Sequence, residues 1–195
     1  VGVLKSRPSE SDTSKSIFVI IPFSSLDQFQ ALESELAKDE NYKSAGAEYL
    51  NASHDNPPYM RIESTLLKAF AGMPFMKTPA LNGERSKRVY ELRSYHSANE
   101  AYHKKKVEMF NEGGEIELFK SLNFNAVFYA QVISGSTMPN LMYMITFSDE
   151  ESQQSHWNAF VSSDKWSELK VMPKYLNTVS HIDKYLLYPT EYSDY

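Results

Sequence analysis

The side chains that could act together chemically in this 195-residue chain sit in short alternating runs. Glu91, Arg93 and Tyr95 occupy every second position, and so do His181, Asp183 and Tyr185. Arg61 and Glu63 share that spacing. On an extended strand, residues two apart point to one face. Each run would therefore offer its polar groups to a single side. Arginine there can fix an anionic group, and histidine beside a carboxylate can pass a proton. His181 with Asp183 is the best acid–base candidate of this kind. The competing reading is internal pairing, Glu91 with Arg93 and Arg61 with Glu63. Buried charges are seldom tolerated unless paired, which makes pairing the stronger reading.

Several other chemistries have no support in the sequence. There is no cysteine, which excludes disulfides, thiolate metal sites and a cysteine nucleophile. His54, His96, His103, His156 and His181 lack the spacing of a zinc or haem motif. No glycine-rich phosphate loop or nucleophile elbow is found. Neither a metal nor a cofactor is expected. A net charge of −5, with Lys and Arg spread along the chain, argues against a nucleic-acid partner. Lys104, Lys105 and Lys106 read as a solvated helix face. No apolar run is long enough for a membrane span. The chain therefore reads as soluble, with the cytoplasm and export to the periplasm both open. Thirteen tyrosines, and the Met73, Phe75 and Met76 patch, suggest an interface with a homodimer mate or another protein.

The elements that must position these residues follow from periodicity. Residues 1–7, 16–23 and 59–70 read as strands, and residues 8–15 as a polar loop. Helices are expected after Ser24 and over residues 42–50. Residues 88–95, 125–134, 141–147 and 179–188 read as four strands, with helices capped at Ser97 and Ser148 between them. The order is βαββαβ, the ferredoxin-like plan. The first half partly repeats the second: Ile21, Phe23 and Ser24 match Ile145, Phe147 and Ser148. The first copy starts late, short by about one strand and one helix. This gives an α+β chain of two ferredoxin-like modules in tandem. Residues 1–71 form an incomplete first module lacking its opening βα unit, 72–87 a linker, and 88–195 a complete second module. Helices need an apolar sheet face, so Tyr90, Leu92, Ile182 and Leu186 are expected beneath them. Glu91, Arg93, Tyr95, His181, Asp183 and Tyr185 would then face away, with Arg61 and Glu63 in the matching places of the first module.

The run Val89-Tyr90-Glu91-Leu92-Arg93-Ser94-Tyr95 resembles the opening strand of the NIPSNAP family. Met138-Pro139-Asn140-Leu141, and the span from Phe160 to Trp166 with Asp164 inside it, are similar to that family too. Leu66-Leu67-Lys68-Ala69-Phe70 and the Pro-rich linker resemble its tandem bacterial members. The resemblance implies a dimeric α/β-barrel superfamily member, in which two ferredoxin-like sheets face one another. The eight candidates Arg61, Glu63, Glu91, Arg93, Tyr95, His181, Asp183 and Tyr185 would then line the barrel. The family carries no agreed catalytic residues, and the wider superfamily spans cofactor-free monooxygenases, isomerases and haem proteins. The expected function is a small-ligand-binding or protein-interaction module of unknown biochemical role. The alternative is a cofactor-independent enzyme of monooxygenase or isomerase type acting on a small organic molecule. Whether the chain is an enzyme stays open at this point.

Overall fold

Strand β4 (Val89–His96) is the frame of a seven-stranded sheet in the computed structural model, which describes residues 1–7 and 16–195. The loop expected over residues 8–15 lies outside the described residues. The other strands are β1 (Gly2–Ser6), β2 (Ile17–Ile20), β3 (Leu66–Ala69), β5 (Phe128–Ser134), β6 (Asn140–Phe147) and β7 (His181–Pro189). The order across the sheet is β2-β1-β7-β4-β6-β5-β3, and each pair is antiparallel. Strands from the N-terminal part thus extend both edges of the sheet built by β4 to β7.

By contacts the chain divides into two compact units, Val1–Ile20 with Thr65–Tyr195, and Ile21–Ser64. In the larger unit, α4 (Glu100–Asn111), α5 (Glu115–Ser121), α6 (Glu150–Ser162) and α7 (Asp164–Leu169) connect the strands. Residues 88–195 therefore run strand, helix pair, two strands, helix pair, strand. The smaller unit holds α1 (Leu26–Leu36), α2 (Glu40–Ala45) and α3 (Ala47–Leu50), none of which buries a side chain fully.

Local chemistry sets the helix starts. Asn99 accepts hydrogen bonds from the backbone of Ala101 and Tyr102, and Asp149 from that of Ser152. These caps satisfy donors that would otherwise lack partners, and each is worth about 1 kcal/mol. The caps expected at Ser97 and Ser148 fall one or two residues early, and the cap expected at Ser24 is Ser25. Gly114 opens α5 with φ +92°, a left-handed conformation that would strain any side chain. The helix expected over residues 42–50 is two pieces broken at Gly46. The long strand expected over 59–70 is only β3; residues 59–65 form no strand. Strand propensity needs a partner edge, and β5 supplies one only from Leu66 onward.

Both faces of the sheet are buried in apolar side chains. On the side of α4 to α7, Phe110, Phe119, Phe124, Tyr143, Ile145 and Phe147 form the largest cluster. On the far side, Leu4, Tyr90, Leu92, Phe128, Met144 and Leu187 form a second one. Each such side chain contributes about 1.5–3 kcal/mol of burial. The Phe18 ring on β2 packs at 5.2 Å and a tilt of 51° against Tyr185 on β7, although β1 lies between those strands, so this edge curls over the far face.

Candidate functional site

Strand register decides which candidate residues meet. Glu91 pairs with Ile145 and Leu186, Arg93 with Tyr143 and Lys184, and Tyr95 with Leu141 and Ile182. These residues share the side of α4 to α7. Ser94 pairs with Asp183, Leu92 with Tyr185, and His96 with His181, which places that second set on the far side. The six strand candidates are therefore split by the sheet rather than gathered on one face. The expectation that Glu91, Arg93 and Tyr95 turn away from the helices is wrong. Glu91 and Arg93 lie beneath α6 and Tyr95 lies against Phe110 of α4, while Tyr90 and Leu92 lie on the far side. The placement of Ile182 and Leu186 on the helix side, and of His181, Asp183 and Tyr185 opposite, agrees with the register. Apolar demand could not orient β4 because both of its faces are buried.

Beneath the helices, Glu91 is fully buried and satisfied. Its carboxylate accepts from Arg93 Nε at 2.6 Å, Gln153 Nε2 at 2.5 Å and Trp157 Nε1 at 2.9 Å. The Arg93 guanidinium lies 3.8 Å over the Trp157 ring and donates to the Tyr95 hydroxyl at 3.2 Å. The Tyr95 and Tyr143 hydroxyls share a hydrogen bond of 2.6 Å. Burial opposes the charge of Arg93, yet the Tyr143, Tyr95 and Glu91 oxygens outweigh it and hold the guanidinium firmly protonated. Burial pushes the Tyr143 phenol far up, so it stays neutral. Close by in the same layer, Lys106 donates to Glu115 at 2.7 Å, and both side chains are buried. Burial raises the Glu115 carboxyl, and Lys106 pulls it back. This layer of charges is an internal brace whose members satisfy one another.

On the far side, Asp183 bridges two imidazoles. Its oxygens lie 2.9 Å from His181 Nε2 and 2.9 Å from His96 Nε2, and the two rings are 5.1 Å apart. The His96 contact has ion-pair distance but poor alignment, for that nitrogen makes no hydrogen bond. Next to them Asn140 Nδ2 donates to Ser94 Oγ at 2.8 Å, while Asn140 Oδ1, also buried, has no partner. His181 is the most open of the three, with 63% of its side chain exposed. An exposed imidazole on a carboxylate can bind an anion or move a proton. Among the described residues, no group of three His, Asp or Glu side chains is arranged to hold a metal ion.

His96 was missed from the sequence because it precedes a helix cap. The signal that finds it is the strand pairing, which sets it opposite His181. Arg61 and Glu63 belong to the smaller unit, where Arg61 Nη1 donates to the carbonyl of Met60 at 2.7 Å. Two surface depressions have volumes of about 420 and 620 Å3. The first lies between Arg7 and Asp149 to Glu151, the second along His54 to Arg61. Of the eight candidates, only Arg61 borders either one.

Among known proteins, the family model described as NIPSNAP matches residues 90–194. No curated protein matches the chain. A NIPSNAP family protein of Agrobacterium tumefaciens is 15% identical, with 55% of this chain aligned to 97% of that one at a TM-score of 0.49. A NIPSNAP-like domain protein of Burkholderia xenovorans is 14% identical, covering 54% and 88% of the two chains at 0.48. A Fusobacterium nucleatum protein provisionally named a monooxygenase is 10% identical, covering 97% and 76% at 0.51. At that identity the last likeness speaks for the fold alone. Among the described residues, no helix is long and apolar enough to cross a membrane.

Proposed function

Because the chain belongs to the NIPSNAP family, whose model matches residues 90–194, we propose that it is a binding module that holds a small organic molecule on the far side of its sheet. One observation carries this reading. On that side Asn140 Oδ1 is buried without a hydrogen-bond partner, beside the group in which Asp183 meets His96 and His181. Such atoms cost about 1–3 kcal/mol each when unsatisfied, so a native fold keeps few of them without a use. The Glu91–Arg93 layer, by contrast, is consumed internally and offers a ligand nothing.

We also read the chain as two related modules, 1–71 and 88–195, joined by residues 72–87. The repeated Ile21/Ile145 and Phe23/Phe147 pairs support this. So does the fold likeness to the Fusobacterium protein, which runs along 97% of this chain. These are units of sequence descent, whereas β1, β2 and β3 all join the one sheet.

A second reading is favoured by the His181–Asp183–His96 group. It is a cofactor-independent enzyme, of isomerase or monooxygenase type, that uses His181 as the proton carrier and Asp183 to orient it. Native mass spectrometry of the purified chain tests the first reading. A retained small mass, lost when Asp183→Asn removes the far-side charge, supports it. A bare chain under gentle ionisation, with no mass recovered from a metabolite extract, would end it.

A further inference from the structure

The smaller unit, Ile21–Ser64, differs in charge from the rest of the chain. It carries eight Asp and Glu residues against three Lys and Arg, a net charge of −5, which is also the net charge of all 195 residues. The remainder of the chain is therefore neutral as a set. All eight acidic residues of the unit are exposed. Glu35 and Glu40 pair with Lys38 and Lys43, and Asp39 caps α2. Asp27, Glu33 and Glu48 meet no cation at ion-pair distance among the described residues. The same unit is apolar at its surface. Leu26, Phe29 and Glu33 follow one side of α1 at helical spacing, and Leu26 and Phe29 are both exposed. Phe23 meets Phe29 edge to face at 5.6 Å. Tyr49 packs at 5.8 Å on Tyr59, which lines the larger depression with Pro57, Pro58 and Met60. Met60 is 88% exposed.

A folded unit seldom leaves this much apolar surface open without a partner. We propose that residues 21–64 are a docking surface for a basic amphipathic helix of another protein. The charge selects that occupant. Lysines or arginines on the helix answer the carboxylates of Asp27, Glu33 and Glu48, and its apolar side, repeating every three or four residues, rests on Leu26 and Phe29 or enters the depression at Met60. A second copy of the unit would set −5 against −5, and a nucleic acid or an anionic lipid surface meets the same repulsion. Charge steers the encounter while the apolar anchors hold the complex. Because the carboxylates are exposed, salt screens their share. This surface uses no residue of the far side of the sheet, so either binding face can fail without the other.

Fluorescence anisotropy of a labelled peptide of about 18 residues, leucine and lysine at helical spacing, tests this with the full chain. The peptide should bind saturably. A peptide of the same composition, ordered so that no apolar side forms, should bind at least about tenfold more weakly. A leucine–glutamate peptide of the first pattern should not bind. Raising salt from about 0.05 to 0.3 M should weaken the first peptide about tenfold. Met60→Ser removes an anchor that supports no core, and Glu33→Lys reverses a charge beside Phe29; each should weaken binding at least about fivefold. Glu117→Lys, on α5 with its side chain 73% exposed, should leave the affinity unchanged. Circular dichroism shows whether each variant is folded. Equal binding of the two leucine–lysine peptides overturns the proposal, and so does no binding below about 1 mM. Unchanged affinity in folded Met60→Ser and Glu33→Lys does so too. A concentration-dependent dimer of the chain alone, dissolved by Met60→Ser, would overturn it by making a second copy the occupant.

Discussion

Replacing Glu91 by glutamine asks whether the charged layer beneath α6 is a brace. Glu91 accepts from Arg93, Gln153 and Trp157 in a position with no solvent exposure. Glutamine keeps the shape but removes the charge, and it turns an NH2 toward a place where three donors converge. Arg93, whose side chain is only 17% exposed, loses its counter-ion. Removing one partner of a buried pair costs about 3–5 kcal/mol. In a chain of this size each kcal/mol moves the melting temperature by about 2–4 °C. The expected fall is therefore roughly 6–20 °C. Circular dichroism melts at pH 7, with urea titrations beside them, would read it. Glu91→Gln combined with Arg93→Met should cost less than the two single changes added together, since the buried cation is gone as well. A melt within about 2 °C of the unmodified protein, together with lost ligand retention, would refute the brace and return Glu91 to a binding surface.

Three further outcomes are expected. Lys106→Met should destabilise the chain at pH 7 by about 3–5 kcal/mol, because Glu115 is left buried without its cation. Burial already raises the Glu115 carboxyl, so in that variant the folded state binds the extra proton first, and urea midpoints should partly recover on acidification toward pH 5. His103 carries the opposite sign. Burial lowers its pKa, with Gln131 opposing, so the folded ring is neutral while the unfolded ring protonates first. Its share of stability is present above the unfolded value of about 6.5 and lost as pH falls below it, and His103→Gln should flatten the loss of urea midpoint between pH 7.5 and 5.5. Phe124→Ala, at a fully buried ring that meets Phe119 edge to face at 4.8 Å and Trp157 edge to face at 5.0 Å, should cost about 3–5 kcal/mol by calorimetry.

The order of elements over residues 88–195 was legible because each strand is an apolar run between turn residues and each helix has a polar cap. The cap residues themselves were misplaced by a position or two, since several serines and an asparagine or aspartate compete at each start. Face assignment failed on β4 for a deeper reason. Val89-Tyr90-Glu91-Leu92 has an apolar residue on both faces, and the structure buries both, so alternation alone does not orient it. Only Gln153 and Trp157, sixty residues and more away, reveal which side Glu91 takes. His96 escaped notice because its partner is set by the pairing of β4 with β7, a long-range register that local pattern does not encode. The residues between Tyr59 and Thr65 have strand-like composition but no strand beside them.

The pairing of Leu4 with Pro189 joins residues from opposite ends of the described chain, and Leu4 is fully buried. Such a contact closes a very long loop, and loop closure must be repaid by burial before it helps folding. The β4 to β7 sheet can assemble from shorter-range pairings, and β1 with β2 form a local hairpin of their own. Joining that hairpin to β7 is then the late step of folding and the early step of opening. In hydrogen exchange the amides of Gly2 to Ser6 should report a partial opening of lower free energy than those of β4 and β6. Thr190 N, which donates to Val3 O at 3.0 Å, and Arg85, which donates to Thr190 O at 3.2 Å, act on this same seam, so anything that releases them shortens the lifetime of the whole edge without first disturbing the aromatic layer under the helices.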